Sequence, residues 1–275
     1  MLPFAPDAEA CTIDAGTAPD AVLERIEQHG TVLCKGAIDP VELAPLRDNA
    51  ERFFGYVEYC LLNKLEIPQL ATYNATALRM AANLLCLNPR PEPARLTAVS
   101  LIRRSYVYPI LKAYLGGEKA LFLFQNSRVR RVYPETHVLS KHVKSLFPYH
   151  QDGIPVGNST ETILCWLPLD ACGRTAPGLE IALKRLKRLI PLAQEDSSPF
   201  RDFEIAAADV EAALEETPRW QPEYEPGDLQ LIPCTTLHRS TSHVAMYRPS
   251  VAAELRFAPD RIADQFEAEQ SKILV

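Results

Sequence analysis

The sequence predicts a mainly β protein with helices, organised as one domain over residues 1–275. Three observations carry that expectation. Apolar residues at helical spacing dominate the first 118 positions or so, and short apolar runs bounded by Pro, Gly and Asp dominate about 119–260. The chain has 275 residues, of which 47% are apolar, enough to bury about three quarters of its unfolded surface in one core without staples.

Helices are expected over 20–30 and 40–62. In the second, Val41, Leu43, Leu46, Ala50, Phe53 and Phe54 fall near helical spacing and Asp39-Pro40 supplies a start signal. A third is expected over 74–86, and Pro89, Pro91 and Pro93 separate it from a fourth near 94–115. Strands then begin with Ala120-Leu121-Phe122-Leu123-Phe124. The next, Ser127 to Tyr133, partly alternates and presents either Arg128 and Arg130, or Arg131 and Tyr133, to a pocket. Thr162 to Leu169 reads as a mostly apolar strand, and Tyr224-Glu225-Pro226-Gly227-Asp228 as a turn feeding another that runs through Ile232. Residues 182–222 interrupt this pattern with a helical stretch, Ala206 to Leu214, and read either as a lid or as a solvated excursion.

Composition narrows the function classes. A formal net charge of −6 argues against wide nucleic-acid contact, which needs a positive surface. No apolar run approaches the roughly 18 residues of a membrane span, and no secretory leader is evident, so a cytoplasmic protein is expected. Seven scattered Cys without Cys-x-x-Cys pairs indicate free thiols rather than a disulfide framework or structural zinc.

The chemistry concentrates in His150-Gln151-Asp152, with His238 and Arg248-Pro249-Ser250 far downstream. Two imidazoles and one carboxylate on one face of a metal leave the opposite positions open, the arrangement with which non-haem Fe(II) oxygenases bind a co-substrate and O2 together. His-x-Asp alone carries little weight: six His and thirteen Asp give about 0.3 such tripeptides by chance. Its setting adds weight. Strand alternation puts His150 and Asp152 on one side, Gly153 permits a sharp bend after them, and His238 falls just beyond a strand. Ser250, two residues after Arg248, shares its face, so guanidinium and hydroxyl can meet one carboxylate. Lone histidines such as His29, His137 and His142 read as surface or hydrogen-bonded core residues. Arg256 reads as a strand residue facing solvent or in a structural ion pair, with a secondary role at the co-substrate pocket left open, and Arg239 as structural. Lys184-Arg185-Leu186-Lys187-Arg188 reads as a solvated face or as a receiver of an anionic substrate.

The segments Pro148-Tyr149-His150-Gln151-Asp152-Gly153, Trp166-Leu167-Pro168-Leu169-Asp170, Ala176-Pro177-Gly178-Leu179-Glu180, Pro226-Gly227-Asp228 and Leu237-His238 resemble the Fe(II)/2-oxoglutarate-dependent oxygenases, most closely the phytanoyl-CoA dioxygenase family. The resemblance covers about 120–260 and implies a double-stranded β-helix of the jelly-roll or cupin type, with N-terminal and flanking helices. It implies iron ligands at His150, Asp152 and His238, a 2-oxoglutarate anchor at Arg248 with Ser250, and a hydrogen bond from Gln151 to 2-oxoglutarate or substrate. Arg128, Arg130, Arg131, Tyr133, Tyr149 and Trp166 are the candidate substrate-pocket residues. The activity implied is oxidation of a C–H bond of a small molecule, anionic or carrier-linked, with O2 and decarboxylation of 2-oxoglutarate to succinate and CO2. Desaturation, cyclisation and epimerisation are alternative outcomes. Asp152 favours hydroxylation over halogenation, because halogenating relatives lack that carboxylate.

Two departures stand out. Glu180 to Arg185 replaces the Pro-Gly-Ser-His segment of many relatives, and Pro249, lacking an N–H, demands an edge position or a bulge within the strand assigned to Arg248 and Ser250. A competing register uses His243 with Arg256. Readings of other classes are a non-catalytic β-helix sensor or scaffold, and a cupin-like Fe or Mn enzyme that needs no 2-oxoglutarate.

Overall fold

A computed structural model describes residues 9–66, 84–86, 93–117, 119–123, 126–193, 203–266 and 272–274. The helices are α1 (Pro19–His29), α2 (Ala44–Leu62), α3 (Pro93–Arg104), α4 (Val107–Leu115) and α5 (Ala207–Leu214). The strands are β1 (Thr12–Ile13), β2 (Val32–Cys34), β3 (Leu84–Cys86), β4 (Ala120–Leu123), β5 (Arg128–Val132), β6 (Ile163–Pro168), β7 (Leu179–Ala182), β8 (Arg219–Trp220), β9 (Leu229–Pro233), β10 (His238–Ser240), β11 (Ser250–Pro259) and β12 (Lys272–Leu274).

Nine strands form one sheet along the path β1-β2-β9-β6-β11-β4-β12, with β5 pairing β11 and β3. The ten-residue β11 organises it: Ala252–Phe257 pairs antiparallel with β6 on one edge, while the other edge is shared by β5 and then β4. A second sheet, β10-β7-β8, is extended by a bridge between His150 and His238. Alternation gives each strand two destinations. Val251, Ala253, Leu255 and Phe257 of β11 join Ile163, Cys165 and Leu167 of β6 in a core shared with the N-terminal helices. Ala252, Leu164 and Trp166 turn the other way and pack with Leu179, Ile181, Trp220 and Tyr224 between the two sheets. This is the double-stranded β-helix, with helices on the outer face of its larger sheet.

Several local expectations need correction. α2 starts at Ala44, not residue 40, because Asp39 uses its carboxylate in a turn with the Val41 N–H, and Pro45 stands in the first helical turn. The helix expected over 94–115 is two helices separated at Ser105 and Tyr106, where the Ser105 hydroxyl donates to the Ile102 carbonyl. Residues 84–86 pair as strand β3 rather than ending a helix. The remainder of that expected helix, Phe124, and 194–202 of the candidate lid lie outside the described residues. Pro249 precedes the first residue of β11, so it takes no ladder position and no bulge is needed for it. Among the described residues no helix is long and apolar enough to cross a membrane, and the six described cysteine side chains are free and buried.

Candidate metal centre

His150 and Asp152 stand at the end of the segment that bridges to β10, and His238 is the first residue of β10. The His150 and His238 main chains exchange two hydrogen bonds, of 3.0 and 3.2 Å, which brings their rings to 4.3 Å between centroids. Gly153 then packs so tightly that a Cβ there would lie 2.1 Å from the Ser159 carbonyl oxygen, while its N–H donates to the Cys234 carbonyl at 2.9 Å. A bend is the role that the sequence suggests for this glycine. Its φ is not in the left-handed region, so close approach rather than dihedral freedom requires it.

One ligand atom from each of His150, Asp152 and His238 lies within 4.8 Å of the others, and all three side chains are buried. Each imidazole places Nδ1 against a backbone carbonyl, His150 at 2.8 Å from Pro148 and His238 at 3.1 Å from Thr236. Those contacts fix Nδ1–H as the donor and leave Nε2 of each ring as a free lone pair. Asp152 divides its oxygens. Oδ1 accepts from Arg256 at 2.7 Å, whereas Oδ2 is buried without a hydrogen-bond partner, 3.7 Å from Nε2 of His238.

Electrostatics holds this set in ligand form. Burial, reinforced by His238, pushes His150 down to about 3, so its ring is neutral at ordinary pH. Burial opposes ionisation of Asp152, but Arg256 with the two imidazoles outweighs it and holds the carboxyl well below the usual carboxylate range. Two imidazole Nε2 atoms and an orphaned carboxylate oxygen converging in a buried space suit a divalent metal ion, and His150, Asp152 and His238 would hold it.

An ionic chain continues from Asp152 along the barrel interior. Arg256 donates to the Asn126 carbonyl at 2.5 Å and to Glu254 at 3.4 Å. Glu254 accepts from Arg130 at 2.9 Å and lies 3.8 Å from Arg128. Arg130 also donates to the Ser145 carbonyl at 2.6 Å and to Ser240 Oγ at 3.0 Å, and stacks 3.7 Å from the Phe147 ring centroid. Arg128 and Arg130 thus form the inward pair of β5. Arg131 and Tyr133 face the other way: Arg131 binds Glu51 and Glu58 of α2, and the Tyr133 hydroxyl donates to Glu58. Arg256 is 5% exposed, which overturns the solvent-facing reading.

The remaining candidates scatter. Trp166 lies between the sheets, 4.7 Å from Tyr224. The Tyr149 hydroxyl donates to the fully buried Glu180, which also binds Gln221 and, at 2.9 Å, Arg239. The Gln151 amide spans the Arg188 and Thr235 carbonyls and the Ile190 N–H, pinning the 188–190 segment. Arg185 of the basic run bonds Thr235 and Tyr114. Ser250 is buried opposite Val132, but Arg248 is exposed and donates to Thr175 Oγ1 at 3.1 Å and to the Ala171 carbonyl at 3.0 Å. His243 is also exposed and outside the triad, so the competing register gains nothing. It lines a cavity of about 520 Å³ together with Phe147, Glu204, Gln221, Arg239 and Ser240. Phe147 connects that cavity to the triad, its ring meeting His150 edge-on at 5.8 Å.

No protein-family model matches the sequence, and no curated protein matches it. Solved structures do. A non-haem alpha-ketoglutarate-dependent carbocyclase, SnoK from nogalamycin biosynthesis, superposes with a TM-score of 0.58 at 14% identity, covering 96% of this chain and 99% of that one. The epimerase SnoN, solved with Fe3+, alpha ketoglutarate and nogalamycin RO, gives 0.56 at 14% identity over 91% of this chain and 90% of that one. EctD from S. alaskensis with bound Fe gives 0.53 at 13% identity, over 89% and 78%. Across nearly its whole length, this chain has the double-stranded β-helix fold of those solved non-haem iron proteins.

Proposed function

We propose that the protein is an Fe(II)/2-oxoglutarate-dependent oxygenase acting on a small molecule, of the kind to which the phytanoyl-CoA dioxygenase-like motifs point. The observation that carries this reading is the buried triad with one unpartnered carboxylate oxygen and two imidazoles held in the ligand tautomer. Bound there, iron with 2-oxoglutarate and O2 supplies the oxidising equivalent for C–H chemistry, with release of succinate and CO2. The chain's own residues bind, orient and exclude water: the ligand set is buried, and Phe147 and Phe203 pack on the His150 ring. Hydroxylation is the primary outcome, and epimerisation and ring closure are the alternatives, for which the epimerase SnoN and the carbocyclase SnoK give precedent on this fold. The cavity beside Phe147 is the substrate recess of this reading. Its hydroxyl and amide groups suit a polar small molecule.

Two arginines compete for the far carboxylate of 2-oxoglutarate. The motif assigns it to Arg248 with Ser250, which requires Arg248 to release Thr175 and Ala171. Arg130 is buried next to the triad's ionic chain, and would have to release Glu254, the Ser145 carbonyl or Ser240. Anaerobic addition of Fe(II) and 2-oxoglutarate, followed by the visible iron-to-2-oxoglutarate charge-transfer band, tests the function and separates the two. The band should form in the wild type and vanish in Asp152→Ala. Its half-saturation should rise in whichever of Arg248→Ala and Arg130→Met removes the anchor, with Fe(II) affinity in the absence of 2-oxoglutarate unchanged; a rise accompanied by weaker Fe(II) binding marks an effect through Glu254 and Arg256 instead. No band with iron bound would move the assignment to a cupin-like metalloenzyme.

A further inference from the structure

The carboxylate of the triad is held by a residue that no motif marks. Arg256 Nη2 donates to Asp152 Oδ1 at 2.7 Å, with both side chains buried; Oδ1 lies 3.9 Å from His150 Nε2, and Oδ2, 3.7 Å from His238 Nε2, is the oxygen without a hydrogen-bond partner. Arg256 is itself fixed from two further sides, by the Asn126 carbonyl on Nη1 and by Glu254 on Nη2. Glu254 is in turn held by Arg130. A guanidinium locked in this way cannot follow the carboxylate if it rotates.

We propose that Arg256 is a positioning residue that makes Asp152 a one-oxygen ligand, and that it thereby preserves the open metal positions a chelating co-substrate needs. This rests on the metal-centre reading above. The argument is geometric. A carboxylate free at both oxygens can take a divalent ion through either one or both, and each added bond closes a site. With Oδ1 held by a charge-assisted hydrogen bond that competes for its lone pairs and fixes its direction, Oδ2 is the oxygen favoured for the metal. Glu254 and Arg130 act one step further out, by keeping Arg256 from swinging toward the metal.

The test uses Co(II), whose visible d–d absorption reports coordination number and geometry without turnover. Wild type, Arg256→Met, Arg256→Lys, Arg256→Gln and Arg131→Met are titrated anaerobically with Co(II) and then with 2-oxoglutarate. Arg131→Met removes a comparably buried guanidinium that touches α2 rather than Asp152, and so controls for loss of stability. Arg256→Met should weaken Co(II) binding by about 10- to 100-fold. It should also change the band intensity and weaken 2-oxoglutarate binding to the Co(II) protein. Arg256→Lys should recover the wild-type spectrum in large part. Arg256→Gln, which keeps an N–H donor without the charge, should show the losses of Arg256→Met and carries the test if Arg256→Met does not fold, a wild-type spectrum and affinity in it overturning the positioning role. Arg131→Met should leave spectrum and affinity unchanged. An Arg256→Met protein with the wild-type spectrum and affinity overturns the positioning role while leaving the metal centre standing. Absence of Co(II) binding by the wild type overturns the metal-centre reading itself, and this inference with it.

Discussion

Arg248 and Arg256 lie eight residues apart around one strand, yet they occupy different environments. Arg248 precedes β11, is exposed, and satisfies its guanidinium on Thr175 and the Ala171 carbonyl. Arg256 lies inside β11, is 5% exposed, and bonds the carboxylate of the candidate metal triad. The first has the motif's spacing from His238 and the second has the contact. Spacing along a chain locates a strand, but the point at which its ladder begins decides which side chains the barrel encloses.

The largest expected effect is at the buried end. Asp152→Ala should abolish metal binding and also strand Arg256 without its main counter-charge, destabilising the apoprotein by about 3–5 kcal/mol in urea unfolding. Adding Arg256→Met to that variant should restore much of the stability and none of the metal binding. Additive losses instead would show that the pair is not coupled.

Acid should act on the same end. His150 titrates near 6.5 when unfolded and at about 3 when folded, so the unfolded chain holds more protons between those values. Apoprotein stability should therefore fall as pH drops from 6.5 toward 3, by up to about 1.4 kcal/mol per unit from this group. The folded carboxyls of Asp152 and Glu254 are depressed, in each case because neighbouring arginines outweigh burial, and their contribution is lost as pH falls below about 4. Unfolding curves collected from pH 7 to 3.5 check the slope, and His150→Gln should flatten its upper part.

Glu254→Gln should cost about 3 kcal/mol, because it removes the shared counter-charge of Arg130 and Arg256. Gly153→Ala should cost about 1–3 kcal/mol by driving a methyl into the Ser159 carbonyl, with a smaller loss of metal affinity through displacement of Asp152. Arg248→Ala is the contrast. As an exposed position it should change stability by less than about 0.5 kcal/mol and leave Fe(II) affinity unaltered.

The fold was legible where patterns are long. The apolar run of β6 and the pattern around 224–232 lie where strands were expected, and the helices expected over 20–30, 40–62 and 94–115 are present, the second starting four residues late and the last broken at Ser105 and Tyr106. The candidate ligands were legible because His150, Asp152 and His238 belong to compact motifs beside strands. The ionic chain was not. In Glu254-Leu255-Arg256 the alternation of charged and apolar residues reads as a half-exposed strand, and only closure of the second sheet over that face turns the charges inward. Arg130 was hidden in the same way, since Arg128 to Arg131 offers charges on both faces of β5 and only the position of Glu51 and Glu58 on α2 decides which pair turns out. The bonds of the Gln151 amide were hidden for a related reason, since the 188–190 segment that it ties down follows no periodic pattern.

The most direct measurement of the central claim is anaerobic calorimetric titration of the apoprotein with Fe(II), beside His150→Ala and His238→Ala. The account predicts one ion per chain for the wild type and none for either variant at the same concentrations. Wild-type protein that takes up no iron, or variants that bind it as the wild type does, would contradict the assignment of His150, Asp152 and His238 as the metal centre.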